Sequence, residues 1–285
     1  MRICRFDNNK LGLVQGDEVL DVTAAVDVLP THRWPVPQCD PLIAHLPQVM
    51  KAAGELAASA RRLPLASVTL NSPVSYASKL PAAPVNYLKH MAEAEGDPAT
   101  FHAHHLKRIE EVGLFLKASS SLAGPGDGVA LRHLDRRNDH ELELAVVIGK
   151  PADRVAVAAA LDYVAGYAIG LDMTVRGPEE RSLRKSIDSY SVLGPWLTTA
   201  DEVADPGALD IELHVNGELR QRANTRDLVI GIPELIAWAS AYYTLLPGDV
   251  IFTGTPDGVG PILPGDVISA RIAHVGQMDV RVRAA

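Results

Sequence analysis

Residues 140–149, HELELAVVIG, limit the architecture more than any other stretch of the chain. The apolar run LAVVIG reads as a strand entering a core, and side chains two apart on a strand project from the same face. Glu141 and Glu143 therefore point to one spot at the mouth of that core. Two adjacent negative charges there repel unless a cation sits between them, and an oxygen-only ligand set selects a hard ion, Mg2+ or Mn2+. The alternative is an exposed strand end carrying two solvated glutamates.

Strand-like segments of the same kind recur at 113–117, 167–173, 210–219 (with an Asn-Gly turn), 249–254 and 266–272, while 153–164 and 231–243 read as helices. The body is α+β and mainly β. Upstream, ICRF, KLGLV and EVLDV form a small meander separated by Asn, Gly and Asp turns. A Pro-rich connector at 30–41 leads to an amphipathic helix over 41–62. The segment 65–85, with Pro73, Pro81 and Pro84, has little helical periodicity, which places a boundary near residue 68 and divides the chain into 1–68 and 69–285. Residues 86–112 are helical, with Asn86 in N-cap position and an interruption at Gly96-Asp97-Pro98.

A third carboxylate, Asp172, ends the apolar segment YVAGYAIGLDM, where a charge needs a partner; the alternative is a cap on the turn at Arg176-Gly177-Pro178. His90 and Glu93 lie three apart on a helix, so the carboxylate can orient the imidazole and raise its basicity, unless the two are a surface ion pair. His102, His104 and His105 compete for the same task or form a solvated face. Lys185 suits a substrate carboxylate or the surface. TGTPDGVG at 253–260 offers the backbone at Gly254 and the Thr255 hydroxyl to an anion, or is an ordinary Gly-Pro turn.

Several function classes are excluded. With 27 Lys plus Arg against 35 Asp plus Glu, a net charge of −8 and no basic stripe, nucleic acid and acidic membrane are poor partners. The most apolar stretch, 155–173, is broken by Asp162 and Asp172, so no run of about 18 uncharged apolar residues spans a bilayer. MRICRFDNNK lacks a signal-peptide apolar region. Two cysteines, Cys4 and Cys39, without CxxC spacing, exclude a disulfide framework and a thiolate zinc site and fit a reducing cytoplasm. Neither a Walker loop nor a strand-to-helix GxGxxG is present.

NYLKHMAE, GLFLKASSSLAGPGD, HELELAVVIGK, GYAIGLDMT, KSIDSYSVLGPW, VNGELRQRANT and PGDVIFTGTPDGVG occur in this order between about residues 84 and 272. Together they resemble the fumarylacetoacetate hydrolase family, and GLDMT looks more like its acylpyruvase branch. The resemblance implies a mixed β-sandwich roll as C-terminal body, a small N-terminal β domain, a cytoplasmic homodimer, and a small-molecule oxo acid as substrate. It implies Glu141, Glu143 and Asp172 as ligands of Mg2+ or Mn2+, with Ca2+ able to stand in within crystals. His90, Glu93 and Lys185 become catalytic, and Thr255, Gly254 and Glu179 substrate-binding. Glu179 stands where the family's TARDxQ motif has glutamine, this chain reading TVRGPE. The implied reaction is hydrolysis of a carbon–carbon bond in a short β-diketo acid by water that His90 and Glu93 activate, the metal stabilising the enolate. Decarboxylation of an oxaloacetate-type acid, isomerisation of an oxo-diacid, and non-catalytic binding of a metal or small anion are the alternatives.

Overall fold

The computed structural model describes residues 1–97 and 109–285, so His102, His104 and His105 lie outside the described residues. Its centre is built around the segment that carries the paired glutamates. Strands β1 (Leu142–Ile148), β2 (Val164–Asp172), β3 (Ser191–Thr199) and β4 (Val250–Phe252) lie side by side in the order β3-β2-β1-β4, all antiparallel.

Every residue of β1 is buried, because both of its faces meet a core. Leu142, Leu144, Val146 and Ile148 join Ile211, Leu213, Ile268 and Val280 of a second, five-stranded sheet. Ala145 and Val147, on the opposite face, pack in a core with Leu46 and Val49 of an N-terminal helix. Full burial of one such aliphatic side chain is worth roughly 1.5–3 kcal/mol. Five of them on β1 therefore outweigh the several kcal/mol that a buried carboxylate costs, and the strand can hold Glu143 within it. The architecture is α+β and mainly β, a sandwich of mixed sheets with short helices around it.

The N-terminal meander extends the large sheet. Arg2–Phe6 pairs antiparallel with β3, and Lys10–Gln15, Glu18–Asp21 and Arg61–Pro64 follow outward in that order. The last of these corrects the helix expected over 41–62. Asp40 caps a first turn, Pro41–Ala44, by accepting from the Leu42 and Ile43 amides. The helix restarts as Leu46–Leu56, with Pro47 in its first turn; Pro47 has no N–H to continue the ladder from the preceding turn. Arg61–Pro64 is then drawn into a strand by four partners in Glu18–Asp21.

Three further local expectations change. The helix expected over 153–164 is a 3-10 segment, Val157–Tyr163. Asn86 does not cap the helix α1 (Leu88–Gly96). Its amide instead donates to the Ile230 and Thr253 carbonyls and its Oδ1 accepts from the Ile230 amide, tying the start of α1 to the body. The chain closes with an additional strand, Gly276–Ala284, whose alternately buried Met278, Val280 and Val282 complete the five-stranded sheet. Among the described residues no helix is long and apolar enough to cross a membrane.

Candidate active site

Antiparallel register brings the three carboxylates together. Leu142 pairs with Leu171 and the Asp172 amide donates to the Glu141 carbonyl, so Glu141 and Asp172 are cross-strand neighbours at the same end of β1 and β2. Glu143 is two residues along on the same face, opposite Gly170. One oxygen from each of Glu141, Glu143 and Asp172 lies within 4.8 Å of the others, and all three residues are buried.

Four cationic or hydroxyl side chains meet this cluster. Lys185 ends the short helix α2 (Arg181–Lys185) and donates to Glu141 Oε2 at 2.6 Å, Asp172 Oδ2 at 2.8 Å and Thr174 Oγ1 at 2.6 Å. Arg176 donates to Glu141 Oε1 at 3.0 Å and to Asp139 at 2.6 Å, and Thr174 donates to Glu141 Oε1 at 3.1 Å. Lys117, fully buried, donates to Asp172 Oδ1 and, at 2.8 Å, to the Tyr190 carbonyl. Burial lowers the Lys117 pKa, and Asp172 opposes that fall.

The carboxylates respond unequally. Burial works against ionised Glu141, yet Lys185 and Arg176 overcome it and hold this carboxyl well below the usual range. Glu143 is pushed well above it, by burial first and then by the negative charges of Asp172 and Glu141; it accepts from the Gly254 amide at 2.7 Å. Two carboxylates are thus matched by lysines while the third sits in a field that calls for one more positive charge. Buried, hard oxygen donors in that state fit a divalent cation such as Mg2+ or Mn2+.

The remaining residues arrive from α1 and the glycine-rich turn. His90 is buried with Nδ1 3.0 Å from Glu93 Oε2, and its field reaches Glu141. Glu93 Oε1 accepts from the Gly258 amide at 3.0 Å, docking the helix onto 253–260. Gly254 has φ of +102°, and a Cβ there would stand 2.6 Å from Cβ of Asn86, so the turn requires glycine. Its amide serves Glu143 rather than an open anion site. Thr255 is buried beside it, with its hydroxyl accepting from Gln221 Nε2 at 2.8 Å.

Glu179 is the one candidate that the structure turns away from the cluster. Its carboxylate accepts from Arg136 Nη1 at 3.1 Å and Nη2 at 2.7 Å, and this pairing lowers its pKa. A Cβ at Gly177 would fall 1.7 Å from Arg136 Nη2 and 2.5 Å from Glu179 Oε2. The TVRGPE sequence is therefore a coherent set, in which glycine leaves room for the Arg136–Glu179 pair. Sequence reading missed Lys117, Thr174, Arg176 and Gln221 as site residues. The available signal for Lys117 was a charge directly after the apolar residues of GLFLK; the others act through partners remote in sequence.

The fumarylacetoacetate hydrolase C-terminal family model matches residues 80–283, and the chain belongs to this family. Over 286 residues it is 56% identical to the maleylpyruvate hydrolase of Aquipseudomonas alcaligenes, covering 100% of both chains. It also resembles the crystal structure of maleylpyruvate hydrolase from Sphingobium sp. SYK-6 in complex with manganese (II) ion and pyruvate, with a TM-score of 0.84, 45% identity and full coverage of both chains. An oxaloacetate tautomerase of Rattus norvegicus is 35% identical over 78% of this chain and 71% of its own length.

Proposed function

We propose that this chain hydrolyses maleylpyruvate, or an acylpyruvate very similar to it, at the Glu141, Glu143 and Asp172 centre. It is a divalent-metal-dependent hydrolase acting on a carbon–carbon bond of a ketonic substrate. The observation that carries the substrate reading is the end-to-end identity of 56% with a maleylpyruvate hydrolase. The decarboxylase, isomerase and binding-protein alternatives are not favoured beside it, since the tautomerase relative is more distant and matched over less of its length.

Glu141, Glu143 and Asp172 would hold a divalent ion, which would supply positive charge where negative charge develops on the oxo acid as the carbon–carbon bond breaks. The protein groups do the rest. Glu93 accepts the Nδ1 proton of His90 and leaves Nε2 as the basic nitrogen, which takes a proton from the attacking water. Gly258 holds Glu93 in that pose. Thr255, on the glycine-rich turn, anchors the carboxylate next to the oxo group, while Lys185, whose three N–H groups go to Glu141, Asp172 and Thr174, orients the ligand carboxylates and adds positive charge beside it. Arg136 and Glu179 shape the loop that delivers α2.

The test is product analysis with Mn2+ in water enriched in oxygen-18. Maleylpyruvate should yield pyruvate and maleate, with the label entering maleate. Isomerised or decarboxylated product without cleavage would refute the reading. We further propose a cytoplasmic homodimer in which residues 1–68 are an accessory unit to the 69–285 body. A monomer in light scattering would overturn the dimer, and a stably folded, active 69–285 fragment would support the division.

A further inference from the structure

We propose that Gln221 is a positioning residue that fixes the Thr255 hydroxyl as a hydrogen-bond donor toward the carboxylate of the oxo acid. This rests on the hydrolase reading above and deepens it at one atom.

Gln221 lies in the strand Glu218–Asn224, more than thirty residues from Thr255 in sequence and fully buried against it. Its Oε1 accepts from the Leu142 amide at 2.9 Å, and its Nε2 donates to the Pro256 carbonyl at 2.9 Å and to Thr255 Oγ1 at 2.8 Å. A backbone N–H can only donate and a backbone carbonyl can only accept. Leu142 and Pro256 therefore fix which way the amide faces, independently of Thr255. With Nε2 turned to Thr255, the threonine oxygen has to accept.

A hydroxyl has one proton to give. Because the Thr255 oxygen receives the amide proton, its own proton is directed to a different acceptor, and no such acceptor is present among the described residues. A buried hydroxyl donor of this kind suits an anionic oxygen, and it sits on the turn whose neighbouring amide, Gly254, already binds Glu143. The other side of Gln221 reinforces the arrangement. His140 Nδ1 is 3.3 Å from Oε1, and because an amide oxygen can only accept, the imidazole N–H donates from Nδ1 to its second lone pair. His140 Nε2 has no hydrogen-bond partner among the described residues. Leu142 lies between Glu141 and Glu143, so one amide ties the spacing of the carboxylate strand to the turn that carries Thr255.

Gln221→Glu tests this directly, because the new carboxylate keeps an acceptor for Leu142 but has no proton for Thr255. The Thr255 hydroxyl then turns its proton inward. With Mn2+ present, calorimetry should show pyruvate binding weakened about 10- to 100-fold, and KM for the acylpyruvate should rise by more than kcat falls. Thr255→Val should give the same loss, and the double variant should be no weaker than Thr255→Val within about threefold. Plain repulsion of pyruvate by the new charge would persist without Thr255 and make the two losses additive. Additivity, or pyruvate binding at the level of the unmodified protein in Gln221→Glu, overturns the proposal. If Gln221→Glu does not fold, Gln221→Met removes the donor without adding charge and carries the same expectation. Unmodified protein that binds pyruvate and hydrolyses acylpyruvate, beside a Gln221 variant that binds pyruvate equally well, rejects only the role of Gln221. Unmodified protein that does neither overturns the hydrolase reading and this inference together.

Discussion

Replacing Lys117 with methionine removes a fully buried charge while keeping most of the side-chain volume. Asp172 Oδ1 loses its lysine donor, and the Tyr190 carbonyl keeps the Met173 amide at 3.0 Å. Breaking a buried ion pair from one side costs roughly 3–5 kcal/mol, because the other charge is left uncompensated. Asp172 keeps Lys185 on its second oxygen at 2.8 Å, which puts the loss near the lower end, about 3 kcal/mol. At ~2.1 cal/mol/K per residue, unfolding 285 residues carries an entropy of about 0.6 kcal/mol/K. Lys117→Met should then lower Tm by about 5 °C, measured by calorimetry with chelator present. Adding Asp172→Asn removes the stranded charge and should recover about 2 kcal/mol, so the double-mutant cycle is strongly non-additive. A Tm change below about 1 °C, or additive losses, would refute the assignment of Lys117 as the inner counter-charge of Asp172.

His90→Gln should reduce kcat by about 10²- to 10⁴-fold while Mn2+ affinity stays within a few-fold, as titration calorimetry would check; retained turnover would move the base elsewhere. Glu93→Gln should lose about tenfold in kcat, since the carboxylate both orients His90 and docks α1 on Gly258; equal activity across the pH range would contradict that coupling. Cys4 is buried, and burial pushes its thiol up to about 12. Because the folded pKa lies above the unfolded one, near 8.5, the neutral thiol contributes full stability below about pH 8.5, and that contribution is lost as pH rises toward 12. Urea midpoints should report about 1 kcal/mol less stability at pH 9.5 than at pH 8, and Cys4→Ala should flatten the difference; an unchanged slope would dismiss the thiol as its source.

What could be read from the sequence was what depends on local spacing. Glu141 and Glu143 share a face because strands alternate, and His90 and Glu93 meet because a helix turns. Asp172 was legible as a charge ending an apolar run, although only the β1–β2 register sets it opposite Glu141. Contacts made across the fold were not legible. Lys117 reaches Asp172, Gln221 reaches Leu142 and Thr255, and Arg136 reaches Glu179, each across a separation that no periodicity encodes. The fold followed the same division. The meander and the central strands matched their patterns, whereas Arg61–Pro64 left its helical pattern because pairing with Glu18–Asp21 outweighed local propensity.

The central claim is that Glu141, Glu143 and Asp172 hold one divalent ion. Calorimetric titration of Mn2+ into the unmodified protein and into Glu143→Gln tests it most directly. Glu143 accepts from the Gly254 amide while the lysines donate to Glu141 and Asp172, so the substitution removes a ligand with little disturbance to the lysines. The unmodified chain should bind one Mn2+, and Glu143→Gln should bind it about 100-fold more weakly or worse. Binding of one Mn2+ by Glu143→Gln with undiminished affinity would contradict the account.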